Sequence, residues 1–145
     1  MGAAQLAERV GETELSSLYR TSPVGFASQP EYFNAACRVR TRLSVFELMH
    51  VIRTIEADAG RTRLVANGPR TLDIDILLFG SMRLHSPPVI VPHPRLAERS
   101  FALEPLAELA PALRHPVLGL TVTELLSRLR SGPGRVVRRS PSVSL

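Results

Sequence analysis

The stretch GPRTLDIDILLFG, residues 68–80, sets two acidic residues inside an apolar run, at Asp73 and Asp75. If residues 71–79 form a strand, side chains two positions apart point to the same face. The two carboxylates are then neighbours, roughly 6–7 Å apart by strand rise. The alternate positions face the core; they are Leu72, Ile74 and Ile76. The pattern predicts a buried strand that carries two carboxylates on its outer face.

The size and composition of the chain indicate one globular domain. Its 145 residues, 44% of them hydrophobic, are enough to bury a core without disulfides or metal staples. The single cysteine, Cys37, excludes an internal disulfide and a cysteine-rich metal site. No apolar stretch approaches the roughly 18 residues of a membrane span, and the opening MGAAQLAERVGETE does not resemble a signal peptide. We therefore expect a cytoplasmic protein with no membrane partner.

The basic charge is unevenly distributed. All eighteen basic residues are arginine, and the net charge is +5. Arg135, Arg138 and Arg139 lie in the polar segment 131–145, which we predict to be a basic, disordered tail. Without these three the net charge falls to about +2. A nucleic-acid partner is therefore not expected, and the chain has only seven aromatic residues for base stacking.

Hydrophobic periodicity predicts a layered α+β domain, in which an antiparallel sheet carries helices on one face. Alternation over 32–42 places Phe33 on the same inner face as Cys37. Ser44 and Glu47 form a capping box at the start of the clearest helix, and the segment SPPVIVPHP, 86–94, reads as irregular. The predicted helices are 2–10, 44–59, 101–110 and 122–130, and the predicted strands are 13–20, 32–42 and 71–79.

The aspartate pair has two explanations. In the ordinary one, the carboxylates are solvated or form salt bridges with nearby arginines. In the other they bind magnesium, which takes one or two protein carboxylates and fills its shell with water and substrate phosphates. Arginines around such a site bind phosphate oxygens; the candidates are Arg61, Arg63, Arg70, Arg95 and Arg99. The motifs G-R-x-R and P-R-T-L-D-I-D fall within sixteen residues, which favours the magnesium explanation.

Residues 68–80 also resemble the signature of the 6-hydroxymethyl-7,8-dihydropterin pyrophosphokinase family of folate biosynthesis. Four further segments match in the same order: SSLYRTSPVG (16–25), QPEYFNAA (29–36), I-E-x-x-x-G-R-x-R (55–63) and VPHPRLAERSFALEPLAELAP (91–111). The resemblance covers roughly residues 13–127. It implies a ferredoxin-like antiparallel sheet with packed helices and a pyrophosphokinase domain over residues 1–130. It also implies transfer of pyrophosphate from ATP to the hydroxymethyl dihydropterin, with release of AMP.

The same resemblance implies the nucleotide side of the site. Two magnesium ions on Asp73 and Asp75 would bridge the ATP phosphates. Together with these aspartates, Arg61 and Arg70 are the implied catalytic residues. The residues that match ATP-contacting positions are Glu56, Arg61, Arg63, Arg70, Ile76, His93 and Arg99. Without the resemblance, the V-P-H-P context would favour a turn histidine for His93, and Glu56 would also be explained as a solvated helix end.

The pterin side is implied in the same way. Tyr32 and Phe101 match the stacking positions, although core packing would also explain them. Asn34 offers a donor and an acceptor to the pterin edge. The matching loop residues are Thr21, Pro23 and Val24. No general base is evident, and the resemblance implies a monomer that acts on ATP and the pterin.

The chain departs from the family pattern at its beginning. Members begin with a strand that ends in a G-S-N-L-G-like motif, followed by a full first helix. Neither has a counterpart here, so we expect the first strand of the sheet to be missing and the domain to be N-terminally truncated. The main alternative is therefore a truncated or degenerate homologue that retains at most nucleotide binding. A D-x-D nucleotide-sugar transferase is disfavoured by the short chain and the P-R-T-L motif.

Overall fold

Short antiparallel strands and helices make up the computed structural model, which describes residues 7–22, 32–61, 72–130 and 136–139. This content confirms the α+β class. The strands are β1 Glu12–Leu15, β2 Tyr19–Ser22, β3 Tyr32–Asn34, β4 Cys37–Arg40, β5 Leu84–Ser86, β6 Val89–Val91 and β7 Val136–Arg139. The helices are α1 Val45–Arg61, α2 Ser100–Leu109 and α3 Val122–Arg130; residues 7–10 are also helical, and Leu96–Glu98 form a 3₁₀ turn.

The first four strands belong to one long hairpin that is interrupted by a β-bulge. Leu15 faces Cys37 in the β1–β4 pair, whereas Tyr19 faces Asn34 in the β2–β3 pair. Four steps along one strand therefore oppose three along the other, and one extra residue on one strand is what defines a bulge. The bulge divides each of the two predicted strands, 13–20 and 32–42, into two shorter ones.

The interruption also changes which side chains of this hairpin are buried. Phe33 is 56% exposed, whereas Ala36 is buried. Cys37 and Val39 pack against the core beside helix α1. The prediction that Phe33 shares the buried face of Cys37 was wrong, because the chain at 35–36 leaves the strand and the alternation begins again after it.

Within the described residues the strands form three small sheets instead of one continuous sheet. Their orders are β1–β4, β3–β2–β7 and β5–β6. The β5–β6 hairpin occupies part of the segment predicted to be irregular. Strand β7 pairs antiparallel with β2, although the sequence predicts disorder for 131–145. Both pairings depend on a partner strand, which composition and local pattern do not reveal.

Helix α1 begins with the predicted capping box. The Ser44 backbone N–H donates to Glu47 Oε1 at 2.8 Å, and the Glu47 backbone N–H donates to Ser44 Oγ at 3.1 Å. Thr121 and Glu124 form the same pair of hydrogen bonds at the start of α3. The inner face of α1 packs against Val10 of the helical segment 7–10 in what we call the α1 cluster, which consists of Val10, Leu48, Ile52 and Ile55. Among the residues that the structure describes, no helix is both long and apolar enough to cross a membrane.

Residues 72–79 run between two buried clusters. On one side lies the α1 cluster, which is contacted by apolar side chains at every second position; these are Leu72, Ile74 and Ile76. On the other side Leu77 and Leu78 pack against the α2–α3 cluster. That cluster consists of Leu96, Leu103, Val122, Leu125 and Leu126. Asp73 and Asp75 are exposed, so the predicted alternation is confirmed.

The strand prediction for 71–79 was wrong over residues 72–79, which have no strand assignment. Backbone groups of this segment form hydrogen bonds to a side chain of α1 and to the backbone of a loop instead of to a neighbouring strand. The Ile74 N–H donates to the Glu56 carboxylate at 2.8 Å, and the Leu77 carbonyl accepts from the His93 N–H at 2.8 Å. A strand assignment requires a ladder of such bonds with one neighbouring strand.

Candidate active site

The exposed aspartates are held by a contact to the backbone between them. Glu56 lies in the last two turns of α1, and its Oε2 accepts the Ile74 N–H at 2.8 Å. Ile74 itself packs against the α1 cluster. Because both the backbone and the side chain of this residue are fixed, Asp73 and Asp75 project on the opposite face with restricted freedom.

Arg99 links Asp75 to the start of helix α2. Its Nη1 lies 3.8 Å from Asp75 Oδ2, and its guanidinium carbon lies 5.5 Å from the centre of the Phe101 ring. The Arg99 side chain is only 23% exposed, whereas that of Asp75 is 58% exposed. A half-buried arginine beside an exposed carboxylate and an aromatic face can exchange its carboxylate partner for a phosphate oxygen.

His93 lies in the same group. Its Nδ1 accepts the Arg95 backbone N–H at 3.1 Å, which leaves Nε2 to carry the proton. Burial, reinforced by the nearby Arg99 and Arg95, holds the pKa of His93 below its ordinary value, and Asp75 acts in the opposite sense. The ring is therefore neutral at physiological pH, with an Nε2–H that can donate to a phosphate oxygen.

The predicted pterin residues lie on the hairpin and on α2. Thr21 and Tyr32 occupy paired positions on β2 and β3, and Asn34 pairs with Tyr19 two residues further on. Helix α2, which carries Phe101 in its first turn, contacts strands β2, β3 and β4. The hairpin strands that carry Thr21, Tyr32 and Asn34 thus contact the helix that carries Phe101.

The remaining predicted residues can be placed only in part. Arg61 is the last residue of helix α1. Ile76 packs between the α1 cluster and a third cluster, formed by Val45, Val89 and Val91. The predictions for Pro23, Val24, Arg63 and Arg70 lie outside the described residues.

The donor set of the aspartate pair fits magnesium. Two exposed carboxylates supply hard oxygen ligands from one face of a fixed segment. The described residues contain no group of three or more His, Cys, Asp or Glu side chains that could hold a metal ion. A pair of this kind leaves most coordination positions to water and phosphate oxygens, which is how magnesium is usually bound with nucleotides.

The cysteine does not offer an alternative chemistry. Burial raises the pKa of the Cys37 thiol, so it is not an activated nucleophile. The chemistry available to the described site is therefore electrostatic, through carboxylates, an arginine and a neutral histidine.

One functional candidate was missed by sequence reasoning. Glu108, at the end of α2, accepts hydrogen bonds from Ser17 and Tyr19 at the bulge of the hairpin. These residues are about ninety positions apart in the chain, so no local pattern joins them.

The fold and the site together define an α+β protein with a group of carboxylate, arginine and histidine side chains near the start of helix α2. The chain belongs to the 7,8-dihydro-6-hydroxymethylpterin-pyrophosphokinase family, whose model matches residues 2–111. This assignment confirms the resemblance drawn from the sequence motifs and replaces the nucleotide-sugar transferase hypothesis.

Relatives of the chain carry matching names. It is 45% identical over 123 residues to the 2-amino-4-hydroxy-6-hydroxymethyldihydropteridine pyrophosphokinase of Pseudomonas aeruginosa, which covers 83% of this chain and 75% of the relative. The Bacillus subtilis protein of that name is 48% identical over 97 residues, 67% of this chain and 58% of the relative. The mitochondrial folate synthesis bifunctional protein of Arabidopsis thaliana is 50% identical over 97 residues, 67% of this chain but 18% of the relative. The chain thus spans between about a fifth and three quarters of these relatives.

Proposed function

We propose that this chain transfers a pyrophosphoryl group from ATP to 6-hydroxymethyl-7,8-dihydropterin, giving the pterin diphosphate and AMP. The observation that carries the proposal is the grouping of Asp75, Arg99 and His93 beside Phe101. Family membership and the names of the relatives support the same reaction.

The nucleotide side is argued from charge. Asp73 and Asp75 are the proposed ligands of two magnesium ions, which when bound neutralise phosphate charge and orient the phosphate oxygens. Arg99, now near Asp75, supplies a planar cation for a phosphate oxygen. His93 supplies a neutral Nε2–H donor. Arg61, Arg63 and Arg70 are proposed as further phosphate ligands, and Glu56 and Ile76 as parts of the nucleotide side.

The pterin side is argued from shape and polarity. A flat heterocycle with polar edges is held by stacking on aromatic rings and by hydrogen bonds at its edge. Phe101 and Tyr32 are the proposed stacking rings. Asn34 is the proposed edge contact, with Thr21, Pro23 and Val24 alongside it.

Positioning and electrostatics carry the proposed chemistry. Phosphoryl transfer needs the attacking and leaving oxygens in line and the developing charge stabilised, and covalent help from the protein is not required. Arg99 and His93 can stabilise phosphate charge, and the pterin residues fix the hydroxymethyl group. Monomeric assembly and a cytoplasmic location remain predictions.

The test is formation of AMP from Mg-ATP by the 145-residue chain, with and without the pterin. We expect AMP that depends on the pterin. Asp73→Asn and Asp75→Asn should each lower turnover by at least about 100-fold, the scale of losing one preorganised electrostatic contact. A folded wild-type chain that forms no AMP would favour the non-catalytic alternative.

The matched control is Asp58→Asn, which alters the one aspartate of the sequence outside the pair. Asp58 Oδ2 lies 3.7 Å from Arg9 Nη2, and neither residue is part of the proposed site, so this variant should keep wild-type turnover. Far-ultraviolet circular dichroism and urea titration verify that each variant folds. Unchanged turnover in Asp73→Asn or Asp75→Asn would remove that residue from the metal site.

A further inference from the structure

Both carboxylate oxygens of Glu108 bond to the hairpin. Oε2 accepts the Ser17 backbone N–H at 2.8 Å and the Ser17 hydroxyl at 3.2 Å. Oε1 accepts the Tyr19 hydroxyl at 2.8 Å. Ser17 lies in the bulge, between the β1–β4 and β2–β3 registers. The side chain from α2 thus takes up a backbone donor that the bulge turns away from the hairpin ladder.

The position of this carboxylate is electrostatically costly for its own helix. Glu108 is the residue before the last in α2, where the helix dipole disfavours a negative charge. A second contact joins the end of α2 to the hairpin, because Arg38 Nη1 on β4 donates to the Leu109 carbonyl at 3.0 Å. The hydrogen bonds of Glu108 therefore stabilise the packing of the hairpin against α2, which we call the junction, and do not stabilise the helix itself.

The junction connects the two elements that carry the proposed pterin residues, the hairpin and helix α2. Tyr19, which Glu108 holds, is the cross-strand partner of Asn34. Two residues further along β2 is Thr21, the partner of Tyr32. At the other end of the same helix is Phe101. A bulge shifts the strand register by one residue, so fixing the bulge fixes how β2 and β3 meet the helix.

We propose that Glu108 is a positioning residue for the pterin, because it locks the bulge at Ser17 and so sets the placement of the β2–β3 hairpin against the start of α2. The proposal rests on the proposed function, since it names the substrate whose binding depends on the lock. Glu108 does not touch ATP or the reacting atoms in this assignment. Its loss therefore affects pterin binding more than the transfer step.

The experiment is steady-state kinetics of AMP formation, with the pterin and Mg-ATP varied in turn. Glu108→Ala should raise the KM for the pterin roughly fivefold, a modest loss because the carboxylate is solvent-accessible. The kcat and the KM for ATP should change less than about twofold. Glu108→Gln keeps one carbonyl acceptor and should restore part of the loss. Tyr19→Phe removes a single hydroxyl and should raise the pterin KM by a smaller factor.

Hydrogen exchange gives a readout that does not depend on activity. The Ser17 amide should exchange faster in Glu108→Ala than in the wild type, because its acceptor is gone. If Glu108→Ala does not fold, Glu108→Gln and Tyr19→Phe decide the question by the same two measurements.

Glu104→Ala is the matched control. Glu104 lies one turn earlier on α2 and bonds to Arg130 at 2.7 and 2.9 Å, on α3 and not on the hairpin. It should lower stability without raising the KM for the pterin. An equal rise in both variants, or no rise in Glu108→Ala, overturns the positioning role. If the wild-type chain forms no AMP that depends on the pterin, the proposed function itself is overturned. If the enzyme is active but the Ser17 amide exchanges at the same rate in Glu108→Ala, only the proposal that Glu108 fixes the bulge is overturned.

Discussion

At the scale of single residues, Glu56 acts on the aspartates through the backbone. Its carboxylate accepts the N–H of Ile74, the residue that separates Asp73 from Asp75. The sequence resemblance implies a contact between Glu56 and the nucleotide. The hydrogen bond gives it a structural task as well, because it fixes the direction in which both carboxylates project.

The two tasks of Glu56 predict different mutant behaviour. Glu56→Ala removes the acceptor for Ile74 and should lower kcat/KM for Mg-ATP about tenfold, the value of one hydrogen bond to a charged group. Glu56→Gln keeps a carbonyl acceptor and should stay within about threefold of the wild type. Steady-state kinetics with ATP varied at saturating pterin is the measurement. Equal losses in both variants would show that the charge of Glu56, and not its acceptor, is what matters.

The sequence could identify part of this site. Asp73 and Asp75 point outward because two-residue periodicity is a local property of extended chain. Arg99 was one of five arginines that the sequence offered as partners of the aspartates, whereas the place of His93 beside Asp75 was accessible only through the family resemblance. The hydrogen bonds of Glu56 with Ile74 and of Glu108 with Ser17 join segments that are far apart in the chain. They form only when the helices and the hairpin have packed together, which no short sequence pattern encodes.

At the scale of elements, the capped starts of helices were predictable and strand pairing was not. A capping box needs only Ser44 and Glu47 three residues apart, and the structure forms both of its hydrogen bonds. The hydrogen bonds from Ser44 also hold the pKa of Glu47 below its ordinary value. The bulge, in contrast, is set by two strands and a helix together. For that reason the exposure of Phe33 and the division of both strands were missed.

The capping box allows a stability prediction. Ser44→Ala removes the acceptor for the Glu47 backbone N–H and should lower the free energy of unfolding by about 1 kcal/mol. Urea denaturation at pH 7 measures it. Ser81→Ala, at an exposed turn position, is the control and should leave the midpoint unchanged. A midpoint shift of the same size in both variants would assign the loss to the serine substitution in general and not to the cap.

At the scale of the whole molecule, a buried histidine makes stability depend on pH. His115 is 7% exposed, and its Nδ1 accepts the backbone N–H groups of Val117 and Leu118 at 3.2 and 3.1 Å. Burial lowers its pKa. Between that lowered pKa and the ordinary value near 6.5, the unfolded chain binds more protons than the folded chain. The contribution of the neutral His115 to the free energy of unfolding is therefore fully present above this window and is lost as the pH decreases through it.

His115→Asn should flatten this dependence. The asparagine carbonyl can still accept the N–H groups of the turn, but it does not titrate. The free energy of unfolding, measured by urea at pH 7.5 and again at pH 5.5, should fall less in the variant than in the wild type. His85→Asn, at an exposed position on β5, should keep the wild-type difference. Identical pH differences in wild type and His115→Asn would exclude His115 as the source.

The course of residues 72–79 between two clusters has a consequence for how this sequence can change over time. Leu77 and Leu78 must fit the α2–α3 cluster, while Ile74 and Ile76 in the same short segment must fit the α1 cluster. A replacement at Ile74 must be compensated in the α1 cluster, whereas one at Leu77 or Leu78 must be compensated in the α2–α3 cluster. The sequence is expected to change faster at Leu113, Val117 and Leu118, whose side chains are already exposed to water.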